Sequence, residues 1–445
     1  MERRGQRPLR DAELDRRIAA LAIPALGSIA AEPLYNLADT AIVRHLGRTP
    51  LDALAIASAA LMLTSWVAIF LSTATTSTVA GRRAARQPGD AARAAGAAYV
   101  IAIAGGVLVA LIVIAAAPAA ARLLGGGSDN SKTVAGAIGY LRISALGVPF
   151  LYVSYAGNGH LVGLADTRSP LRIAVGANLL NVALEAALVY GAHWGLRGSA
   201  WGTVIAQAGA AGWYFAASRR AAIKLARPTE YEVSTLLRAG HQLSVRTIAL
   251  GVVPLTTTAI AARLGPVALG GQQIAMRVWY LLSILLDALA VPAQVYVSAA
   301  LGADDHEHAR QVGRRSLRLG LLAGLVLTVV TAALAPVVPA VFTHDPDVRH
   351  AAMVALAVSA LTQPLAALAF VYDGLILGIS GYKAMRRAML LAILAYLPMA
   401  ALTIRFPWLG LPGIWVALGC WLAARAGILG RRWSRPITQP DRRPG

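Results

Sequence analysis

Charge is scarce in this chain, and negative charge more so. Of 445 residues only 14% are Asp, Glu, Lys or Arg, and 21 acids face 41 basic residues. Cysteine occurs once, as Cys420, which excludes an internal disulfide and a thiolate metal cluster. There is no GxxxxGK[ST] loop, so no ATP motor of that kind, and no HExxH or comparable metal-ligand spacing. The chain is therefore not expected to be an enzyme or to hold a resident cofactor. A net charge of +20 would suggest nucleic acid in a soluble protein. That partner needs a dense basic face or a recognisable binding module, and the sequence has neither, so no nucleic acid is expected.

What is abundant is apolar surface. Hydrophobic residues make up 57% of the chain and its mean hydropathy is +0.60, a composition that soluble domains do not have. The basic N-terminal stretch MERRGQRPLRDAELDRR has no short apolar run with a small-residue cleavage site after it, so insertion is expected through the first helix. A membrane-spanning helix needs about 20 apolar residues. Twelve such segments are predicted, at 18–44, 51–80, 92–120, 135–160, 170–191, 196–218, 236–262, 267–300, 313–340, 350–379, 385–404 and 411–430.

The basic residues fall between these segments with a strong bias. Alternate connections carry 29 Lys and Arg on one side and 8 on the other, and the last four, Arg142, Arg246, Arg277 and Arg425, lie inside helices. By the positive-inside rule both termini are cytoplasmic, which an even helix count requires. The expected organisation is a tail at 1–17, a six-helix lobe at 18–218, a cytoplasmic linker at 219–235, a second six-helix lobe at 236–430 and a tail at 431–445. The halves look related. HLGRTPLDALAIA (45–57) aligns with RLGPVALGGQQIA (263–275), LVGLADTRSPLR (161–172) with ILGISGYKAMR (376–386), and GLRGSAWG (195–202) with GLPGIWVA (410–417). The offset stays between 215 and 218 residues. Six helices per half insert both halves the same way round, so the fold class is an all-α polytopic membrane protein of twelve helices in two parallel-repeat bundles, a layout that suits a transporter.

Charged groups inside such helices are costly and mark sites of function. Asp39, in EPLYNLADTAIVRHLG, lies roughly 30 Å up the first helix at 1.5 Å per residue, in its outer half. The fifth segment carries Asn178, Asn181 and Glu185, whose spacings of three and four put them on one face. Thr203, on the sixth, reaches a similar depth. These five form a candidate ion-coupling shell that could take up a proton, or bind Na⁺ through the oxygens of Asp39, Asn181, Glu185 and Thr203. A set of interhelical hydrogen bonds with no ion is the structural alternative. In the second half Arg277 and Asp287 are ten residues apart and do not share a helical face. They, with Asp373, Arg246, Gln272 and Tyr35, are candidates for substrate contact or gating. Trp66, Tyr152, Trp279 and Tyr372 suit cation–π contact with flat organic cations, and equally helix packing.

These stretches resemble the multidrug and toxic compound extrusion family, in its DinF-like branch. The resemblance rests on EPLYNLADTAIVRHLG, LDALAIA, GLADTRSPL, the Asn181/Glu185 pair, GLRGSAWGT, GQQIAMRVW with LDALAVPAQ, and YDGLILG before YKAMR, and runs from about residue 17 to 428. It implies twelve helices in two lobes and cation-coupled export of organic compounds by alternating access. It also implies ion-coupling roles for Asp39, Asn181, Glu185 and Thr203, and roles in the second half for Arg277 and Asp373. Glu185 stands where the family commonly has Asp, which favours a proton over a close-fitting Na⁺ shell. The expectation is a proton-coupled antiporter, with Na⁺ the alternative ion, for organic cationic or amphiphilic substrates. It would work as a monomer without an obligatory protein partner, surrounded by lipid in a bacterial cytoplasmic membrane. A flippase for lipids or lipid-linked precursors is the alternative with the same two-lobe architecture.

Overall fold

In lipid a backbone polar group has no water to turn to, so a spanning segment must satisfy its own hydrogen bonds. The computed structural model meets this with helices throughout; among the described residues, 11–124 and 131–436, there is no strand. The chain forms α1 (Asp11–Arg44), α2 (Arg48–Ala84), α3 (Pro88–Leu124), α4 (Ser131–Ala145), α5 (Val148–Gly163), α6 (Arg168–Ala186), α7 (Gly195–Arg220), α8 (Glu230–Leu264), α9 (Pro266–Gly302), α10 (His306–Leu334), α11 (Val338–Phe342), α12 (Pro346–Gly378), α13 (Tyr382–Arg405) and α14 (Gly410–Trp433). The twelve predicted segments map onto these helices in order. The fourth is broken into α4 and α5, bent by 46°. The fifth ends in a π-helical turn, Ala187–Gly191, and the ninth ends at Leu334, with the short α11 after it. The ends of both tails, residues 1–10 and 437–445, lie outside the described residues, as does the side chain of Tyr35.

Two compact units result. One is Gly27–Gly240 and holds α2 to α7; the other joins His241–Gly445 with residues up to Leu26. Helix α1 therefore contributes to both. Near its start Asp15 meets Arg315 at 3.9 Å, and the Arg17 carbonyl accepts from the Tyr296 hydroxyl at 3.2 Å. Further along, Gly27 faces Leu171, and the Ala31 carbonyl accepts from Asn178. Chain 221–229, which enters α8, packs on α3. Ala226 N–H donates to the Ala92 carbonyl, and Gly96 leaves room for the Ala226 carbonyl, which a Cβ would meet at 1.9 Å.

The internal repeat is written into the turns. Gly47 (φ 103°) and Gly265 (φ 114°) precede α2 and α9 in the same extended, positive-φ conformation, with ψ of 179° and 173°. Arg86 pairs with Asp304, Ala165 with Ser380 and Gly195 with Gly410, each with φ between 53° and 62°. The offsets between partners are the same 218 and 215 residues that align the sequence halves. Four matched left-handed turns are a stronger sign of a repeat than matched apolar letters, because most residues avoid that region.

The conformation at Gly47 and Gly265 is open to glycine almost alone. Gly47→Ala and Gly265→Ala should each cost about 1–3 kcal/mol, measured as a lower midpoint on thermal unfolding in detergent. Gly105→Ala, at a helical position with nothing within 4 Å of the added methyl, should be neutral or slightly stabilising. Equal effects at all three positions would contradict the strained-turn assignment.

Candidate functional site

The acids of the first half meet. Asp39 lies five residues before the end of α1 and is buried, with 6% of its surface exposed. Glu185 lies just ahead of the π turn and has no exposed surface. Between them stands Ser199, one turn into α7, whose hydroxyl is 2.9 Å from Asp39 Oδ1 and 3.4 Å from Glu185 Oε1. Both acids thus converge on this one hydroxyl. Thr203 donates to Glu185 Oε1 at 3.4 Å and to the Ser199 carbonyl at 3.2 Å. From α4, the buried Tyr140 faces the same cluster.

Local sequence explains how three helices come this close. Gly198 and Gly202 are one turn apart on α7 and face α6. A Cβ on Gly202 would stand 3.0 Å from Glu185 Cγ, and one on Gly198 would stand 2.9 Å from the Leu188 carbonyl carbon. Small residues four apart let helix backbones approach in a membrane. The π turn after Glu185 brings Tyr190 to α1, where its hydroxyl donates to the Ile42 carbonyl at 2.8 Å. Its ring meets His45 edge-on with centroids 6.4 Å apart.

The remaining amides divide. Asn181, one turn below Glu185, is buried and its Oδ1 has no hydrogen-bond donor among the described residues. Asn178 does not join the acids. Its amide donates to the Ala31 carbonyl at 2.7 Å and ties α6 to α1 two turns below Asp39. Sequence reasoning thus assembled Asp39, Glu185, Asn181 and Thr203, and missed Ser199 and Tyr140. Ser199 was within reach of it, lying four residues before Thr203 and hence on the same face. Tyr140 sits on another helix at a spacing that carried no signal.

The second half holds a different polar centre. Asp373, on α12, is 1% exposed and bound by two guanidinium groups. Arg246 of α8 donates to its Oδ2 at 2.6 Å. Arg425 of α14 donates from Nε to Oδ1 at 3.2 Å and from Nη2 to Oδ2, a two-pronged grip. The Arg425 guanidinium lies over the rings of Phe370 and Trp421, 5.1 and 5.4 Å from their centroids. Asp287 feels the charges of Arg246, Asp373 and Arg425. Arg425, a basic residue within an apolar helix, was the overlooked member. Arg277 is exposed and makes no ion pair among the described residues. Gln272 is fully buried, and neither amide atom has a hydrogen-bond partner among the described residues. Asp373 is thus matched by permanent positive charge, whereas the bonded acids of the first half have no basic partner among the described residues.

Comparison with known proteins fits this architecture. A family model described as MatE matches residues 24–186 and 243–402. The chain belongs to the MatE family. The Protein DETOXIFICATION 44 of Arabidopsis thaliana, a chloroplastic protein, is 31% identical over 446 residues, covering 94% of this chain and 84% of its own length. DNA damage-inducible protein F of Escherichia coli is 26% identical and covers 95% of this chain and 92% of its own, in line with the DinF-like motifs. Among solved structures, one described as the outward-facing conformation of a multidrug resistance MATE family transporter of the MOP superfamily superposes with a TM-score of 0.86. It does so at 20% identity, over 95% of this chain and 96% of that one. As a MatE protein this chain is a multi-pass membrane transporter of twelve helices in two six-helix bundles.

Removing one partner of a buried ion pair strands the other charge, at about 3–5 kcal/mol. Arg425→Met leaves Asp373 with Arg246 as its remaining partner, so it should destabilise the protein by less, about 1–3 kcal/mol, read as the shift in thermal unfolding in detergent. A melting curve unchanged from the parent would contradict the two-pronged pairing with Asp373.

Proposed function

We propose that this MatE protein is a proton-coupled antiporter that exports organic cationic or amphiphilic compounds by alternating access. The observation that carries the reading is the convergence of two buried carboxyl groups, Asp39 and Glu185, on the single hydroxyl of Ser199. Two carboxylates held out of water beside one hydroxyl repel, and a proton on one of them relieves that repulsion. Ser199 has one proton to donate, and its shorter contact is with Asp39. The pair accordingly holds a proton in the buried state, and losing it leaves two like charges out of water and out of balance.

That imbalance is the coupling. Asp39 is on α1, the helix that contributes to both units, and Glu185 is locked against α7 by Gly202. A change of charge at the pair shifts the preferred packing of α1 against α6 and α7, and transport follows when proton and substrate favour different conformations of the carrier. The excess of Lys and Arg on one set of connections orients both termini to the cytoplasm, with a bacterial inner membrane as the setting. The carrier works as a monomer. Na⁺ is the alternative occupant, held by oxygens of Asp39, Asn181, Glu185 and Thr203.

Purified protein in liposomes with independently clamped pH and Na⁺ gradients, assayed against a small panel of organic cations, separates these possibilities. An imposed pH gradient should drive transport, and Asp39→Asn or Glu185→Gln should abolish that drive. Transport that ignores the pH gradient and follows Na⁺ would replace the proton with Na⁺. Indifference to both ions, or full activity in both variants, would sink the coupling reading.

Ser199→Ala gives a finer test. The hydroxyl stabilises the ionised form of Asp39, so its loss should tighten proton binding. The pH of half-maximal transport should rise by about one unit, as expected for one hydrogen bond to a charged group. A downward shift would contradict the direction of the Ser199 hydrogen bond.

A further inference from the structure

Away from the acid pair, the unit Gly27–Gly240 contains a cavity of about 450 Å³ where α2, the α5–α6 turn and α7 end, among the basic connections. Its lining is graded. Trp213, Ala217 and Arg220 stand on one face of α7, at spacings of four and three, so the face runs from an aromatic ring to a guanidinium over about 10 Å. Arg83, from the end of α2, reaches across and donates to the Leu164 carbonyl, which leaves further N–H donors of its five. Trp213 is 48% exposed and lies on α6 at Gly176, where a Cβ would stand 2.7 Å from its ring.

We propose that this cavity binds an anionic glycerophospholipid, with the phosphate diester between Arg83 and Arg220 and the glycerol–acyl junction against Trp213. The volume falls in the range of small-molecule sites, about 300–1,000 Å³. Basic pockets between spanning helices recognise anionic headgroups, and tryptophan favours the interfacial level just below them. The lining has one acid, Asp166. Its Oδ1 accepts from the backbone N–H groups of Arg168 and Ser169 at the start of α6, and so caps a helix instead of offering a seat to a headgroup ammonium. Arg168 and Arg172, both exposed nearby in sequence, add positive charge. The balance selects a net negative lipid over a zwitterionic one.

The test is native mass spectrometry of the full-length protein, delipidated and then supplied with equal amounts of phosphatidylglycerol and phosphatidylethanolamine. Phosphatidylglycerol adducts should exceed phosphatidylethanolamine adducts at least five-fold. Arg83→Gln/Arg220→Gln should remove that excess, whereas Arg219→Gln, at a residue stacked on Phe215 outside the lining, should keep it. Millimolar inorganic phosphate should not displace the lipid. Equal retention of the two lipids, equal loss in Arg219→Gln, or displacement by phosphate would each overturn the proposal. Arg220→Gln alone guards against misfolding of the double variant, because the Arg220 guanidinium has no hydrogen bond or ion pair among the described residues. With its detergent melting temperature unchanged, it should still lose at least half of the excess, and full retention would also count against the site.

Discussion

A charge inside a bilayer must be matched or neutralised, and the interior of this protein is arranged around that requirement. Deep acids are few, and each half answers the problem with different chemistry. The second half uses permanent opposite charge: Asp373 is held by Arg246 and the two-pronged Arg425, with Asp287 in the same field. Guanidinium groups do not give up their protons, so the positive charge that holds Asp373 is permanent. The first half has two acids, a serine, a threonine and a tyrosine, and no basic side chain among the bonded set. Its charge can change, and the proposed coupling rests on that difference.

Glycine sets the dimensions of the variable site. Between α6 and α7 the contact is backbone against side chain at Gly202 and backbone against backbone at Gly198. A carboxylate cluster three helices wide would otherwise be separated by side-chain volume, and its members would each find their own solvent or backbone partner. The longer Glu at 185 and the missing Cβ at 202 are therefore complementary. One extends the acid toward Ser199, and the other removes what would push it away.

Much of the fold was legible in the sequence, since long apolar segments and a basic bias follow from the bilayer itself. The bends were not. The break between α4 and α5 does carry local punctuation, Gly147 and then Pro149 at the start of α5, but the length of the apolar run hid it, while the π turn at 187–191 has no such signal. The same division holds at the site. Asp39 and Glu185 stood out because a charge in an apolar run is rare, and Asn181 because of its one-turn spacing. Ser199 and Tyr140 are ordinary residues in membrane helices, and only their meeting in space marks them. Arg425 stood out as a charge, but its partner is 52 residues away on another helix.

The π turn has a meaning in terms of insertion and deletion. The Ala192 N–H reaches back five residues to the Ala187 carbonyl, so this turn accommodates one more residue than an α-helical turn would. That extra residue rotates everything beyond it relative to Glu185. Tyr190 meets the end of α1 at Ile42 because of that rotation. The acid and the tyrosine are thus on one continuous segment but in two registers. A helix of uniform pitch could present the carboxylate to α7 or the phenol to α1, and the single added residue lets this segment do both.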